Sequence, residues 1–121
     1  MHERSLLESL LRQVEEIRQA HAGGVVEEIR MEVGPLAGVE PLLMQSAFAE
    51  AVAYGRLADA TLVIDEVPLT AVCPACGVVE VMPVRIACPG CGETQLALCG
   101  GDELRLRSVT IRGTRVQEQP A

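Results

Sequence analysis

The chain contains no lysine and no tryptophan, and its only aromatic residues are Phe48 and Tyr54. All ten basic residues are arginine, and the formal net charge is −7. A chain with that balance repels phosphate backbones unless its arginines cluster. Arg105, Arg107, Arg112 and Arg115 do gather late in the chain. Apolar residues alternate with them, so they read as a solvated strand face rather than a phosphate-binding stripe. The scarcity of aromatics also removes the platforms on which bases stack. No nucleic-acid partner is expected. The core of this 49% apolar chain must be aliphatic.

Other absences narrow the function. No apolar run reaches the ~18 residues of a membrane helix, so no membrane partner is expected. The opening Met1-His2-Glu3-Arg4 is not a basic start followed by an apolar block, so a signal peptide is not expected. Histidine occurs only at positions 2 and 21. There is no Ser-His-Asp set and no phosphate-cradling glycine loop. Glu15-Glu16 and Glu27-Glu28 read as wet faces rather than acid–base pairs. An enzyme is not expected. Five cysteines without a secretory signal imply a reducing, cytoplasmic setting, where thiolates hold metal rather than form disulfides.

Those cysteines carry the strongest signal. Cys73-Pro74-Ala75-Cys76-Gly77 and Cys88-Pro89-Gly90-Cys91-Gly92 are two Cys-x-x-Cys clamps. Each turn lets two sulfurs approach one ion, and a small residue after the second cysteine permits the tight backbone. Together they complete a four-sulfur shell of the kind that holds structural zinc. Such a closed site folds a module and leaves no open position for chemistry. The 11 residues between the clamps leave room for a short hairpin. Two other readings compete. Similar clamps hold iron in rubredoxin-like proteins, but those sites need a dry, usually aromatic shell that this segment lacks. A zinc-ribbon interaction or nucleic-acid module would use the same clamps. Cys99 is left over and reads as a small buried or half-buried hydrophobe; the sharper readings are a spare metal ligand or a redox-sensitive thiol.

Hydrophobic spacing predicts an α+β fold. Leu6, Leu7, Leu10, Leu11, Val14 and Ile17 make one stripe of a helix over 3–20, stopped by Gly23-Gly24. Ile29, Met31 and Val33 alternate with Glu28, Arg30 and Glu32 in a strand over 25–33. A second helix follows over roughly 41–54, started by Pro41, with Leu43, Ala47, Phe48, Ala51 and Val52 as its apolar face. A strand over 61–67 ends at Pro68. In the last strand the apolar parity switches between Leu106 and Val109, which implies a bulge or hinge near Ser108. The expected fold is a small sheet of about three strands packed with two helices, plus an inserted four-cysteine zinc-ribbon-like module. Residues 1–69 with 108–116 form one domain, 70–107 the zinc module, and 117–121 a flexible tail.

The remaining feature is the first three residues. A terminal amine, the His2 imidazole and the amide nitrogens between them can wrap one cation in a square-planar, nitrogen-rich shell suited to Ni(II) or Cu(II). Glu3 adds an acceptor that could orient the imidazole. By itself a terminal histidine is ordinarily a solvated residue. Met1-His2-Glu3, the amphipathic helix behind it, Gly34-Pro35-Leu36-Ala37-Gly38-Val39, Phe48, the paired clamps and Gly101-Asp102-Glu103-Leu104 together resemble the HypA/HybF family. Its members are nickel metallochaperones of hydrogenase maturation. The resemblance runs to about residue 116. It implies a Ni(II) site at Met1, His2 and Glu3 and zinc ligands at Cys73, Cys76, Cys88 and Cys91. It also implies a cytoplasmic carrier that works with the GTPase HypB and the NiFe-hydrogenase large subunit, and it is compatible with a homodimer. It assigns no metal role to Cys99 or His21.

Overall fold

A computed structural model describes residues 2–117, apart from the side chain of His2. Met1 and residues 118–121 of the expected tail lie outside the described residues, while Gln117, expected to open that tail, is the last residue of a strand. The elements run α1 (His2–Ala20), β1 (Val26–Val33), α2 (Pro41–Val52), β2 (Thr61–Glu66), β3 (Leu69–Cys73), β4 (Gly77–Val81), β5 (Ala97–Gly100), β6 (Leu104–Ile111) and β7 (Thr114–Gln117). Among these none is a helix long and apolar enough to cross a membrane. The chain folds as two compact units, the second of which takes Val33–Gly38 and Glu66–Leu104.

The first unit holds α1, α2 and a four-stranded sheet of order β2-β1-β6-β7. Its sheet has one strand more than expected. Arg112 and Gly113 turn with positive φ, and β7 runs back antiparallel to β6, with Val109 opposite Val116 and Thr110 opposite Arg115. On β1 the alternation is as the sequence predicts: Ile29, Met31 and Val33 are buried. Leu7, Leu10 and Val14 of α1 are buried too, and so are Met44, Phe48 and Val52 of α2. Each such side chain contributes roughly 1.5–3 kcal/mol by leaving water. The wet faces of the strands carry charges that neutralise one another. Arg30 meets Asp65 at 3.1 Å, while Arg105 and Arg107 meet Glu32 at 2.8 and 3.1 Å. Arg115 lies 3.8 Å from Glu28. The late arginines are thus largely spent on carboxylates of their own sheet, as a solvated strand face requires.

One helix face differs from the sequence reading. The buried row of α2 is Met44, Phe48 and Val52, while Leu43 and Ala51 are exposed. The helix is apolar almost all round, so its spacing does not single out a face. In β6 the buried parity switches between Ser108 and Val109, which are buried in succession within one continuous strand.

The second unit holds a three-stranded sheet of order β4-β3-β5. The hairpin is not between the clamps. It is β3 and β4, antiparallel from Leu69↔Val81 to Cys73↔Gly77, and the first clamp is its turn. A clamp turn and a hairpin turn make the same demand, a tight reversal, so one segment serves both. Between the clamps a second small turn brings Met82 and Arg85 together. The core of this unit is Leu69, Ala71 and Val81, with Val79 and Leu96 against it. So small a core calls for a metal or another staple.

Candidate metal centre

Each clamp is built by its backbone. β3 ends at Cys73 and delivers its sulfur; Gly77 then turns with φ +83° and starts β4. Gly92 takes the same conformation, φ +81°, after Cys91. A side chain at either position would be strained, so glycine belongs there for a physical reason. The second clamp is closed by the Gly92 amide donating to the Cys88 carbonyl at 2.8 Å and the Cys88 amide donating to the Glu93 carbonyl at 2.8 Å.

The four sulfurs of Cys73, Cys76, Cys88 and Cys91 all lie within 4.8 Å of one another. Cys73 Sγ and Cys91 Sγ, from different clamps, are 3.6 Å apart. A tetrahedral zinc with bonds of about 2.3 Å sets its sulfurs about 3.8 Å apart. The donor set therefore fits Zn(II) in number, element and spacing. Cys73 and Cys88 are buried, and Cys76 and Cys91 are exposed.

Electrostatics make the same point. Backbone N–H groups of Cys91 and Gly90 donate to the Cys88 sulfur and draw its thiol down to about 7, against the effect of burial. Cys76 is pushed up to about 12, chiefly by its hydrogen bonds to Cys88 and Cys91 and by burial. Four crowded sulfurs cannot all ionise by themselves, and one low value forces another high. A divalent cation at their centre removes that conflict and supplies a folding staple. The amide donors to Cys88 have no sequence signature beyond the clamp itself.

Cys99, expected to be buried or half-buried, is instead exposed, because it lies on the edge strand β5; its sulfur is 3.5 Å from Thr70 Oγ1. His21 caps α1 through a 2.9 Å bond between Nδ1 and the Ile17 carbonyl. Among the described residues neither is gathered to a metal cluster.

At the other candidate site, Met1 and the His2 side chain lie outside the described residues. What is described is the backbone of His2 as the first residue of α1, and Glu3 behind it. The Glu3 carboxylate accepts a 3.4 Å hydrogen bond from the Glu40 amide, at the N-cap of α2. The start of one helix is thereby tied to the start of the other.

The glycine-rich link and the short lead to β6 also meet. Gly34 donates to the Glu103 carbonyl at 2.8 Å, and Leu36 donates to the Gly101 carbonyl at 2.6 Å. The sequence singled out both segments without indicating that they pair.

Residues 1–111 match the sequence model of a family described as HypA, hydrogenase/urease nickel incorporation, metallochaperone. The hydrogenase maturation factor HypA of Alkalilimnicola ehrlichii is 42% identical over 113 residues, 92% of this chain and 99% of that protein. That of Nitrosospira multiformis is 36% identical over 112 residues, 92% of this chain and 97% of its own length. The solution structure of the Ni metallochaperone HypA from Helicobacter pylori is similar in fold, with a TM-score of 0.62 at 23% identity, covering 90% of this chain and 96% of that one.

Proposed function

We propose a role that proceeds from one fact: this chain belongs to the HypA family of hydrogenase and urease nickel-incorporation metallochaperones. It is a nickel metallochaperone of hydrogenase maturation with a four-cysteine site suited to structural zinc. Beyond that, the chain takes up Ni(II) as cargo at its amino terminus. The Met1 amine, the His2 imidazole and the amides of His2 and Glu3 supply the donors. Zinc is held by Cys73, Cys76, Cys88 and Cys91. The chain is a carrier rather than an enzyme and acts in the cytoplasm. It receives or passes nickel in transient complexes with a HypB-type GTPase and the NiFe-hydrogenase large subunit.

The observation that carries the nickel site is where α1 begins. The first N–H groups of a helix have no intrahelical acceptor. With α1 starting at His2, the amides of His2 and Glu3 are such groups. Nickel can replace their protons without breaking a helical hydrogen bond. The Glu3–Glu40 tie holds the carboxylate beside them in place. A terminus also suits a carrier, because cargo must leave as readily as it enters.

The test is Ni(II) titration of the protein with its native amino terminus against His2→Ala and against a form extended before Met1. Both changes should abolish specific nickel binding and leave zinc and fold intact, and His21→Ala should change little. Undiminished nickel affinity in His2→Ala removes the terminal site.

A further inference from the structure

We propose that Cys91 is an oxidation site: a hydroperoxide-class oxidant joins it to Cys73 in a disulfide across the two clamps, and the metal is released. Susceptibility of a cysteine follows thiolate character, exposure and a second thiol placed to resolve the first product. Bound zinc holds all four sulfurs as thiolates. Exposure then divides the cluster. Cys73 and Cys88 are 1% and 3% exposed, whereas Cys76 and Cys91 are open to solvent. An oxidant in solution therefore meets Cys76 or Cys91 first. The resolving partner singles out Cys91: its sulfur lies 3.6 Å from that of buried Cys73, in the other clamp. That approach is built by the fold. Cys73 is held at the end of β3, in register with Gly77, and the turn carrying Cys91 is closed by the Gly92 amide on the Cys88 carbonyl. Cys99 is exposed as well, but its sulfur faces the Thr70 hydroxyl rather than a thiol.

The chemistry balances with one peroxide. The Cys91 thiolate attacks a peroxide oxygen; the S–O bond forms, the O–O bond breaks and hydroxide leaves. The Cys73 thiolate then attacks the Cys91 sulfur; the S–S bond forms, the S–O bond breaks and a second hydroxide leaves. The two thiolates give up two electrons, and the peroxide accepts them. Both hydroxides take protons from solvent. A disulfide within one clamp would leave the other clamp whole. The cross-clamp bond instead takes one ligand from each, so Cys76 and Cys88 remain as single donors and neither clamp chelates. The small core of Leu69, Ala71 and Val81 then keeps only the disulfide as a staple. The chain stays looped between the clamps, and a thiol reductant that reopens the bond restores the four-sulfur site. The proposal rests on the zinc reading of the four cysteines and is independent of the nickel chelate.

The experiment uses the zinc-loaded full chain, stoichiometric hydrogen peroxide and a chromophoric zinc chelator. Dimedone, added with the peroxide, traps the first sulfenic acid, and mass spectrometry of alkylated peptides maps the disulfide. A label on Cys91, a Cys73–Cys91 disulfide and loss of the bound zinc are expected. Thiol reductant with added zinc should restore full zinc content. Cys99→Ser, which leaves all four ligands in place, should release zinc at the wild-type rate. Substituting Cys91 itself removes a ligand, so the mapping is done with the clamps intact. First label on Cys76, a disulfide within one clamp or to Cys99, or zinc kept while Cys99 alone is oxidised would overturn the proposal. A reduced chain that takes up no zinc would overturn the zinc reading itself, and the proposal with it.

Discussion

Gly34 has no room for a side chain. A Cβ there would collide with the carbonyl of Gly101 and lie 2.8 Å from the Glu103 carboxylate. Backbone cannot give way as a flexible side chain can. Gly34→Ala should therefore destabilise by roughly 3 kcal/mol, at the upper end of overpacking costs. Gly77 is a different case: nothing lies within 4 Å of its missing Cβ, but its φ is +83°. Gly77→Ala should cost only about 1–2 kcal/mol, the conformational penalty alone. Urea unfolding of the two variants separates the mechanisms, and equal costs would refute the distinction. The clamp glycines were readable from sequence because a Cys-x-x-Cys turn demands a particular backbone next to it. The need for glycine at position 34 was not readable, because the atoms that exclude a side chain belong to residues far along the chain.

Elements with one clean periodicity were readable, and ambiguous ones were not. α1 and β1 have clear periods, and Leu7, Leu10, Val14, Ile29, Met31 and Val33 are buried as the spacing picks out; Arg18 and Val26, which the spacing does not pick out, are buried as well. α2 is apolar on most sides, so only packing selects Met44, Phe48 and Val52. Phe48→Ala should cost about 3–5 kcal/mol. Leu42→Ala, at a residue 75% exposed, should stay within about 0.5 kcal/mol. Thermal unfolding of both checks the assignment. β3, β4, β5 and β7 are short, and nothing in four or five residues separates an edge strand from a loop. The end of α1 is held by Arg18, which donates to Glu15 at 2.9 and 2.6 Å and to the Gly23 carbonyl at 2.9 Å. That hydrogen bonding draws the Glu15 carboxyl down to about 2 from an ordinary 4.5. A depressed carboxyl stabilises the fold above its unfolded value and loses that effect as pH falls. The contribution is therefore present above pH 4.5 and disappears between 4.5 and 2. Glu15→Gln should remove this part of the acid dependence. Identical acid limbs in helical circular dichroism for wild type and variant would count against it.

For the whole molecule, the sequence reading reached the fold class through its two unambiguous signals, helix periodicity and paired clamps. The partition of work follows from the same chemistry. Four cysteines make a closed site that stays, and the site proposed at the start of α1 would be open and would exchange. Cys73→Ser should release zinc and unfold the segment 70–104, whose own core is only a few side chains. Most helical signal should remain, since α1 and α2 belong to the other unit. Retention of zinc by that variant would break the four-cysteine assignment. The most direct measurement is titration of Ni(II) into zinc-loaded protein with a native amino terminus, following nickel uptake and zinc release together. One nickel per chain should bind, be withdrawn by a mild chelator, and displace no zinc. Nickel that enters only as zinc leaves, with the absorption of nickel–thiolate bonds, would contradict a terminal cargo site separate from the cysteines.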